Sequence, residues 1–369
     1  MPVLKVLTVS SETGGARNLA EVVEAFQLSV SFTNLCAKSA INVFKEKHFP
    51  YRDIDNVHDI NDFSDLVRSI APDAILSGRG IQLASPERTA VLIARNLKIP
   101  SVGVIDEWYD YRANFADELG VTTWPDVVCC PDGQAKYEAI VEGLPRNILK
   151  ITGSPALSSL YDKREKYKRS PPKRLNKLTE NSIRPIIVFI SEIISDGLIT
   201  DYSQRKNSSN LIGYDENIVR SDILEALSEV FKSCTVLEKP HPRAAYKETK
   251  AISDQNINWQ VTMGQDLHSL CWWGDIVIGM RSMGLFEAAI LGKATISYQP
   301  NLKGKNRCTA VRKELIPCCR SMDSLKTWLK QYPQTQSDLF VGRPDYAHKG
   351  AATAVYTILK EISISFANA

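Results

Sequence analysis

Short apolar strands alternate with helix-patterned segments along almost the whole chain, and this alternation constrains the fold more than any other feature. In the first half, VLKVLTVS (3–10) reads as a buried strand from its β-branched run, SSETGGARN (10–18) as a loop and LAEVVEAFQLS (19–29) as a helix. INVFK (41–45) reads as a short strand, INDFSDLVRSIA (60–71) as a helix and PDAILSGRG (72–80) as a strand ending in glycines. A helix at RTAVLIARNLK (88–98) and a strand at PSVGVID (100–106) follow, then strand, helix and strand at DVVCCPD, GQAKYEAIVEG and ILKITGS (126–154). Strands separated by helices build parallel sheets covered on both faces.

The alternation breaks once. KREKYKRSPPKRLNKLTENS is polar, basic and proline-containing, which marks a connector. It then resumes with the strand RPIIVFIS (184–191), a helix at 215–232, the strand and loop CTVLEKPHP (234–242), and the strand NWQVTM. A short helix DLHSLCWWG, the strand DIVIGM, the helix GLFEAAILG and the strand ATISYQP come next, with two terminal helices beyond. At roughly 100–200 residues per domain, 369 residues suit two domains. The expected division is a Rossmann-like domain over 1–155, a linker over 156–184, a second Rossmann-like domain over 185–345, and a final helix over 346–369 that packs back on the first domain.

Composition excludes several classes. The net charge of +3 does not support nucleic-acid binding, which shows a strongly basic face. No apolar run approaches the ~20 residues needed to span a bilayer, and the N-terminal segment lacks the pattern of a signal peptide. The eight cysteines have no regular spacing. Cys129-Cys130 and Cys318-Cys319 are adjacent pairs, so reduced thiols in a cytoplasmic protein are expected. The basic linker also suits peripheral contact with the anionic inner face of a membrane.

Ligands of open parallel sheets bind beyond the carboxyl ends of the strands. After DIVIGM comes Arg281-Ser282-Met283-Gly284, opening a helix. Free N–H groups and the helix dipole favour phosphate there. Arg281 grips phosphate, Ser282 caps the helix or bonds a phosphate oxygen, Gly284 permits close approach, and Glu287 accepts from ribose hydroxyls. Lys239-Pro240-His241-Pro242-Arg243 follows another strand, and prolines on both sides of His241 stiffen the loop. Ser191 and Glu192 lie at a third strand end, with Gly213-Tyr214-Asp215-Glu216 as a further segment; capping explains Ser and Asp there equally well. In the first half, Gly14, Gly15 and Arg17 follow the first strand, without the G-x-G-x-x-G dinucleotide fingerprint. Gly78 and Arg79 lie at a second strand end. Asp106 and Glu107 follow SVGVI, and either carboxylate is a candidate base. Trp108, Tyr109 and Tyr111 are candidates for an apolar wall against a sugar, or for core packing.

GMRSMGLFEAAILGKATISYQP resembles the last nucleotide-binding unit of GT-B proteins, and EKPHPR resembles the His-Pro motif of bacterial sialyltransferases, capsule-building transferases and teichoic-acid polymerases. The resemblance implies two Rossmann-like domains facing a cleft, with the donor in the second and the acceptor in the first. It implicates His241, Pro242, Ser282, Arg281 and Glu287 in contacts with the nucleotide. The run Ser282-Met283-Gly284-Leu285-Phe286-Glu287 is similar to the Ser-Gly-Gly-x-x-Glu of non-hydrolysing UDP-N-acetylglucosamine 2-epimerases, with Met283 where that run has a glycine.

The leading expectation is an inverting glycosyltransferase that moves a sugar from a nucleotide-activated donor to a glycan or lipid-linked acceptor. No D-x-D stands where a metal–diphosphate clamp is expected, so neither metal nor cofactor is called for. His241, Lys239 and Arg281 would balance charge on the leaving nucleotide. The alternatives are an epimerase-like isomerase and a non-catalytic sugar-nucleotide-binding protein.

Overall fold

The structure, a computed structural model, describes residues 3–57, 59–80, 85–117, 119–173, 182–194, 212–241, 256–332 and 344–367. It is mixed α/β with two parallel sheets. The chain divides into two units, Met1–Ser159 with Arg343–Ala369, and Leu160–Gly342.

In unit 1 the strands are β1 (Leu4–Ser10), β2 (Val30–Cys36), β3 (Arg52–Asp53), β4 (Ala74–Ser77), β5 (Ser101–Val104), β6 (Val127–Cys130) and β7 (Leu149–Ile151). Their order is β3-β2-β1-β4-β5-β6-β7, parallel throughout. Helices α1 (Thr13–Phe26), α2 (Ala40–Glu46), α3 (Ile60–Ile70), α4 (Pro86–Leu97) and α5 (Gly133–Val141) connect them. Strands β4, β5 and β6 are buried on both faces, hence their short apolar runs. Asp59 and Ser85 accept from the first-turn N–H groups of α3 and α4, which fixes where both helices start.

Helix α6 (Pro155–Arg169) leads out of unit 1, and the unit division falls within it. In unit 2 the strands are β8 (Ile186–Ile190), β9 (Cys234–Lys239), β10 (Ile257–Val261), β11 (Ile276–Gly279), β12 (Ala294–Tyr298) and β13 (Cys318–Cys319). Their order is β10-β9-β8-β11-β12-β13, again parallel. The helices are α7 (Glu216–Val230), α8 (Leu267–Trp273), α9 (Met283–Ile290), α10 (Thr309–Arg312) and α11 (Met322–Lys330). The closing helix α12 (Ala351–Ala367) belongs to unit 1. Its Val355 and Leu359 enter the core that holds Val22 and Val23 of α1, and Tyr356 stacks on Phe26 at 4.1 Å between ring centroids.

Three local readings of the sequence are corrected. INVFK is not a strand but the body of α2, with Ala40, Val43 and Phe44 buried on one face. The strand is the preceding VSFTNLC, β2. Five residues with three apolar side chains do not separate period 2 from period 3.6. The loop read around Gly14 and Gly15 is the first turn of α1. The linker read over 156–184 begins as helix: Leu160, Tyr161, Arg164 and Tyr167 are buried at helical spacing, and Asp162, Glu165 and Lys166 between them are exposed. Residues 174–181 of that stretch lie outside the described residues. No helix among the described residues is long and apolar enough to cross a membrane.

Candidate functional site

Two groups of predicted residues come together, one at the carboxyl strand ends of each unit. In unit 1 the strand order reverses direction between β1 and β4, the place where such sheets bind ligands. Gly15 at the start of α1 packs against Gly78 and Arg79 after β4; a Cβ on Gly15 would lie 2.9 Å from the Arg79 nitrogen. A Cβ on Gly14 would collide with the Asp106 carboxylate. These glycines therefore bring three strand-end segments together within the protein itself. Arg17 sits half-buried on α1.

Arg79 is buried and forms an ion pair with Glu107; its Nε donates to Asn114 Oδ1 at 2.7 Å, and Asp106 Oδ1 lies 4.0 Å away. Burial works against the guanidinium charge, but Glu107 and Asp106 outweigh it and hold Arg79 more firmly charged than a free arginine. For Asp106 the balance is reversed. Burial pushes its carboxyl well above the ordinary range, Arg79 pulls it down, and Glu107 and Glu12 push it up again. Asp106 Oδ1 and Glu12 Oε1 are buried without a hydrogen-bond partner. Glu107 is thus committed to Arg79, while Asp106 is a carboxyl of raised proton affinity with one oxygen unspent.

Trp108 and Tyr111 do not form a sugar wall. Both are fully buried. The Trp108 indole donates to Asp132 at 3.0 Å and packs edge-on against Tyr346, and the Tyr111 hydroxyl donates to Glu138 at 2.9 Å. Cys129 and Cys130 are buried too, with thiols pushed up to about 12 by burial, so they stay protonated.

The sequence reading missed Glu87. It lies on α4, buried, and accepts from Ser11 N at 2.6 Å and Ser11 Oγ at 2.9 Å. Burial raises its carboxyl to about 7 against the pull of those bonds. Between pH ~4.5 and ~7 the folded chain therefore holds a proton that the unfolded chain has lost, and stability falls as pH rises through that window. Glu87→Gln is expected to shrink the loss in urea midpoint between pH 5 and pH 8. An unchanged difference between the two pH values would refute this account of Glu87.

In unit 2 the reversal lies between β8 and β11. Ser191 and Glu192 follow β8, and Met280-Arg281-Ser282 follow β11. Ser282 caps α9, its Oγ accepting from Gly284 N at 3.0 Å. The turn already holds an anion. Glu192 Oε1 accepts from Arg281 N at 2.6 Å and from Ser282 N at 2.8 Å, and Oε2 lies 3.5 Å from Arg281 Nε. Burial raises the Glu192 carboxyl, opposed by Arg281 and the turn N–H groups. Met283 and Gly284 form the first turn of α9.

The remaining predicted residues are more scattered. Ser191 is buried, its N–H bonded to Lys239 O at 2.9 Å. Lys239 is the last residue of β9, and His241 stands two residues beyond, half-buried. Strand β8 separates β9 from β11, so His241 and Arg281 follow strands two places apart in the sheet. Pro242 and Arg243 lie outside the described residues. Tyr214 is buried with its hydroxyl on Gln299 Oε1 at 3.1 Å, and Asp215 caps α7. Glu287 is engaged by a residue the sequence did not flag: His268 Nε2 lies 2.8 Å from its Oε2. A single histidine on a seven-residue helix carries no spacing signal.

No protein-family model matches the chain, and no curated protein matches it. Solved structures match along its whole length. The UDP-GlcNAc 2-epimerase of Neisseria meningitidis, bound to UDP-GlcNAc, is 16% identical, with 97% of this chain and 100% of that one covered at a TM-score of 0.69. The Methanocaldococcus jannaschii UDP-GlcNAc 2-epimerase, in complex with UDP-GlcNAc and UDP, is 14% identical over 97% and 100%, also at 0.69. A putative UDP-N-acetylglucosamine 2-epimerase from Listeria monocytogenes is 16% identical over 98% and 97%, at 0.68. At these identities the likeness establishes a shared fold.

Proposed function

We propose that the chain is an enzyme acting on a nucleotide-activated sugar, that the nucleotide phosphates bind the β11–α9 turn, and that Asp106 moves the proton. The observation that carries the reading is the carboxylate of Glu192 on Arg281 N and Ser282 N: two turn amides and a guanidinium converge on an oxyanion at the switch point of unit 2. A phosphate is likewise an anion with oxygens that accept from turn N–H groups, and would take the position of Glu192.

The leading reaction is isomerisation of the sugar. Likeness to structures of UDP-GlcNAc 2-epimerases over nearly the full length supports it, and so does the raised proton affinity of the Asp106 carboxyl, suited to removing a proton and returning it. The second reading is glycosyl transfer to a glycan or lipid-linked acceptor, favoured by the half-buried His241 between two prolines at the end of β9. Proton NMR separates the two. UDP-GlcNAc incubated alone should give a second sugar nucleotide. Stable UDP-GlcNAc that releases UDP only with an acceptor would replace isomerisation by transfer, and no turnover in either arm would leave a binding protein.

Because nucleotide must displace Glu192, Glu192→Gln is expected to tighten UDP binding. A hydrogen bond to a charged group contributes about 1.5–3 kcal/mol, and tenfold in affinity corresponds to ~1.4 kcal/mol, so calorimetry should register a gain on the order of tenfold or more. Equal or weaker binding by the variant would place the phosphates elsewhere.

A further inference from the structure

Three side chains from three helices of unit 2 form a line that ends on Glu287. Lys163 Nζ of α6 lies 2.8 Å from His268 Nδ1 on α8, and His268 Nε2 lies 2.8 Å from Glu287 Oε2 on α9. An ammonium only donates. His268 Nδ1 is therefore the acceptor, the ring proton sits on Nε2, and Nε2 donates to Glu287. One lysine thus fixes the tautomer, and the tautomer fixes the carboxylate.

The line is anchored at both ends. Lys163 Nζ also lies 3.9 Å from Asp266 Oδ2 and 5.5 Å from the Tyr167 ring. Asp266 caps α8, accepting from Ser269 N at 2.9 Å, so the residue that starts the helix of His268 also holds the lysine. The side chains of His268 and Glu287 are each only 12% exposed, so water does not readily replace a lost partner. Glu287 lies one turn inside α9, whose N-terminal turn holds the anion.

We propose that His268 and Lys163 are positioning residues that orient Glu287 to accept hydrogen bonds from the ribose hydroxyls of the nucleotide. The proposal rests on the nucleotide reading above. It makes sugar discrimination in the nucleotide, ribose against 2′-deoxyribose, depend on a histidine that does not itself touch the ligand. A clamp that merely joined α6, α8 and α9 would support folding and leave that discrimination alone.

The test is calorimetric binding of UDP and 2′-deoxy-UDP to the parent, Glu287→Gln, His268→Ala, His268→Gln and Lys163→Met. The parent should prefer UDP by roughly tenfold, as for one hydrogen bond to a charged acceptor. Glu287→Gln and His268→Ala should bring the ratio near one, and Lys163→Met should lower it. His268→Gln, whose amide keeps a donor, should recover part of it. Equal losses of both affinities at an unchanged ratio in His268→Ala or His268→Gln would overturn the positioning role. A parent that binds UDP and 2′-deoxy-UDP alike would overturn the ribose assignment alone. A parent that binds neither would overturn the nucleotide reading and this proposal with it.

Discussion

Arg79→Met should destabilise unit 1 by about 3–5 kcal/mol, the usual cost of removing one partner from a buried ion pair. The guanidinium is buried beside Glu107, Asp106 and Asn114. Methionine fills much of the volume but leaves two carboxyls close together in a site that water reaches only in part. They are expected to respond by taking up protons, so the loss should be larger at pH 8 than at pH 5. Urea unfolding at the two pH values measures this. The double variant Arg79→Met with Glu107→Gln should recover a large part of the loss, because it removes the charge that methionine stranded. A single variant that loses less than ~1 kcal/mol at pH 8 would mean that the carboxyls find other partners, and the electrostatic account of this cluster would fail.

Sequence reasoning was strongest where a physical pattern repeats. Short apolar runs such as IIVFI, together with the turn signals that bound them, placed most of the strand ends, because strands buried on both faces read as continuous apolar runs. It failed at INVFK, where five residues satisfy both periods, and at 155–169, where one buried stripe hides among eight charged or polar neighbours. In the candidate sites, Asp106, Glu107, Arg79, Arg281 and Glu192 were legible from their position after strands. Their division of roles was not. That Arg79 takes Glu107 and leaves an Asp106 oxygen unspent depends on strands β4 and β5 lying side by side, a contact between residues 27 and 28 positions apart. That Glu192 fills the anion position depends on β8 pairing with β11 across some ninety residues. Trp108 shows the converse error: an aromatic beside a strand-end carboxylate suggested a sugar platform, but its indole N–H reaches Asp132 and its ring lies in the interior.

The division between Asp106 and Glu107 gives the sharpest functional expectation. Asp106→Asn should lower turnover by roughly 100- to 10,000-fold, the range for loss of a positioned general base. Glu107→Gln should lose less chemistry, because its carboxylate is engaged by Arg79 rather than open to a reacting proton. The pH dependence follows from the sign of the Asp106 shift. Its carboxyl is raised, so below that raised value the residue is protonated and inactive as a base, and the acid limb of the parent profile should sit above the ordinary carboxylate range. Asp106→Asn should abolish that limb. Stability should move the other way. An ionised Asp106 costs the folded state free energy at alkaline pH, because the folded chain surrenders its proton less readily than the unfolded chain does. Asparagine carries no such charge, so the variant should be at least as stable as the parent at pH 8 while being far less active. Buried carboxyls with unsatisfied oxygens persist where chemistry needs them rather than where folding does. A variant that turns over within about threefold of the parent, or one that loses stability and activity together, would make Asp106 a structural residue of the β5 end. Proton transfer would then have to be sought among the other groups at the strand ends, with Glu87 the first to test.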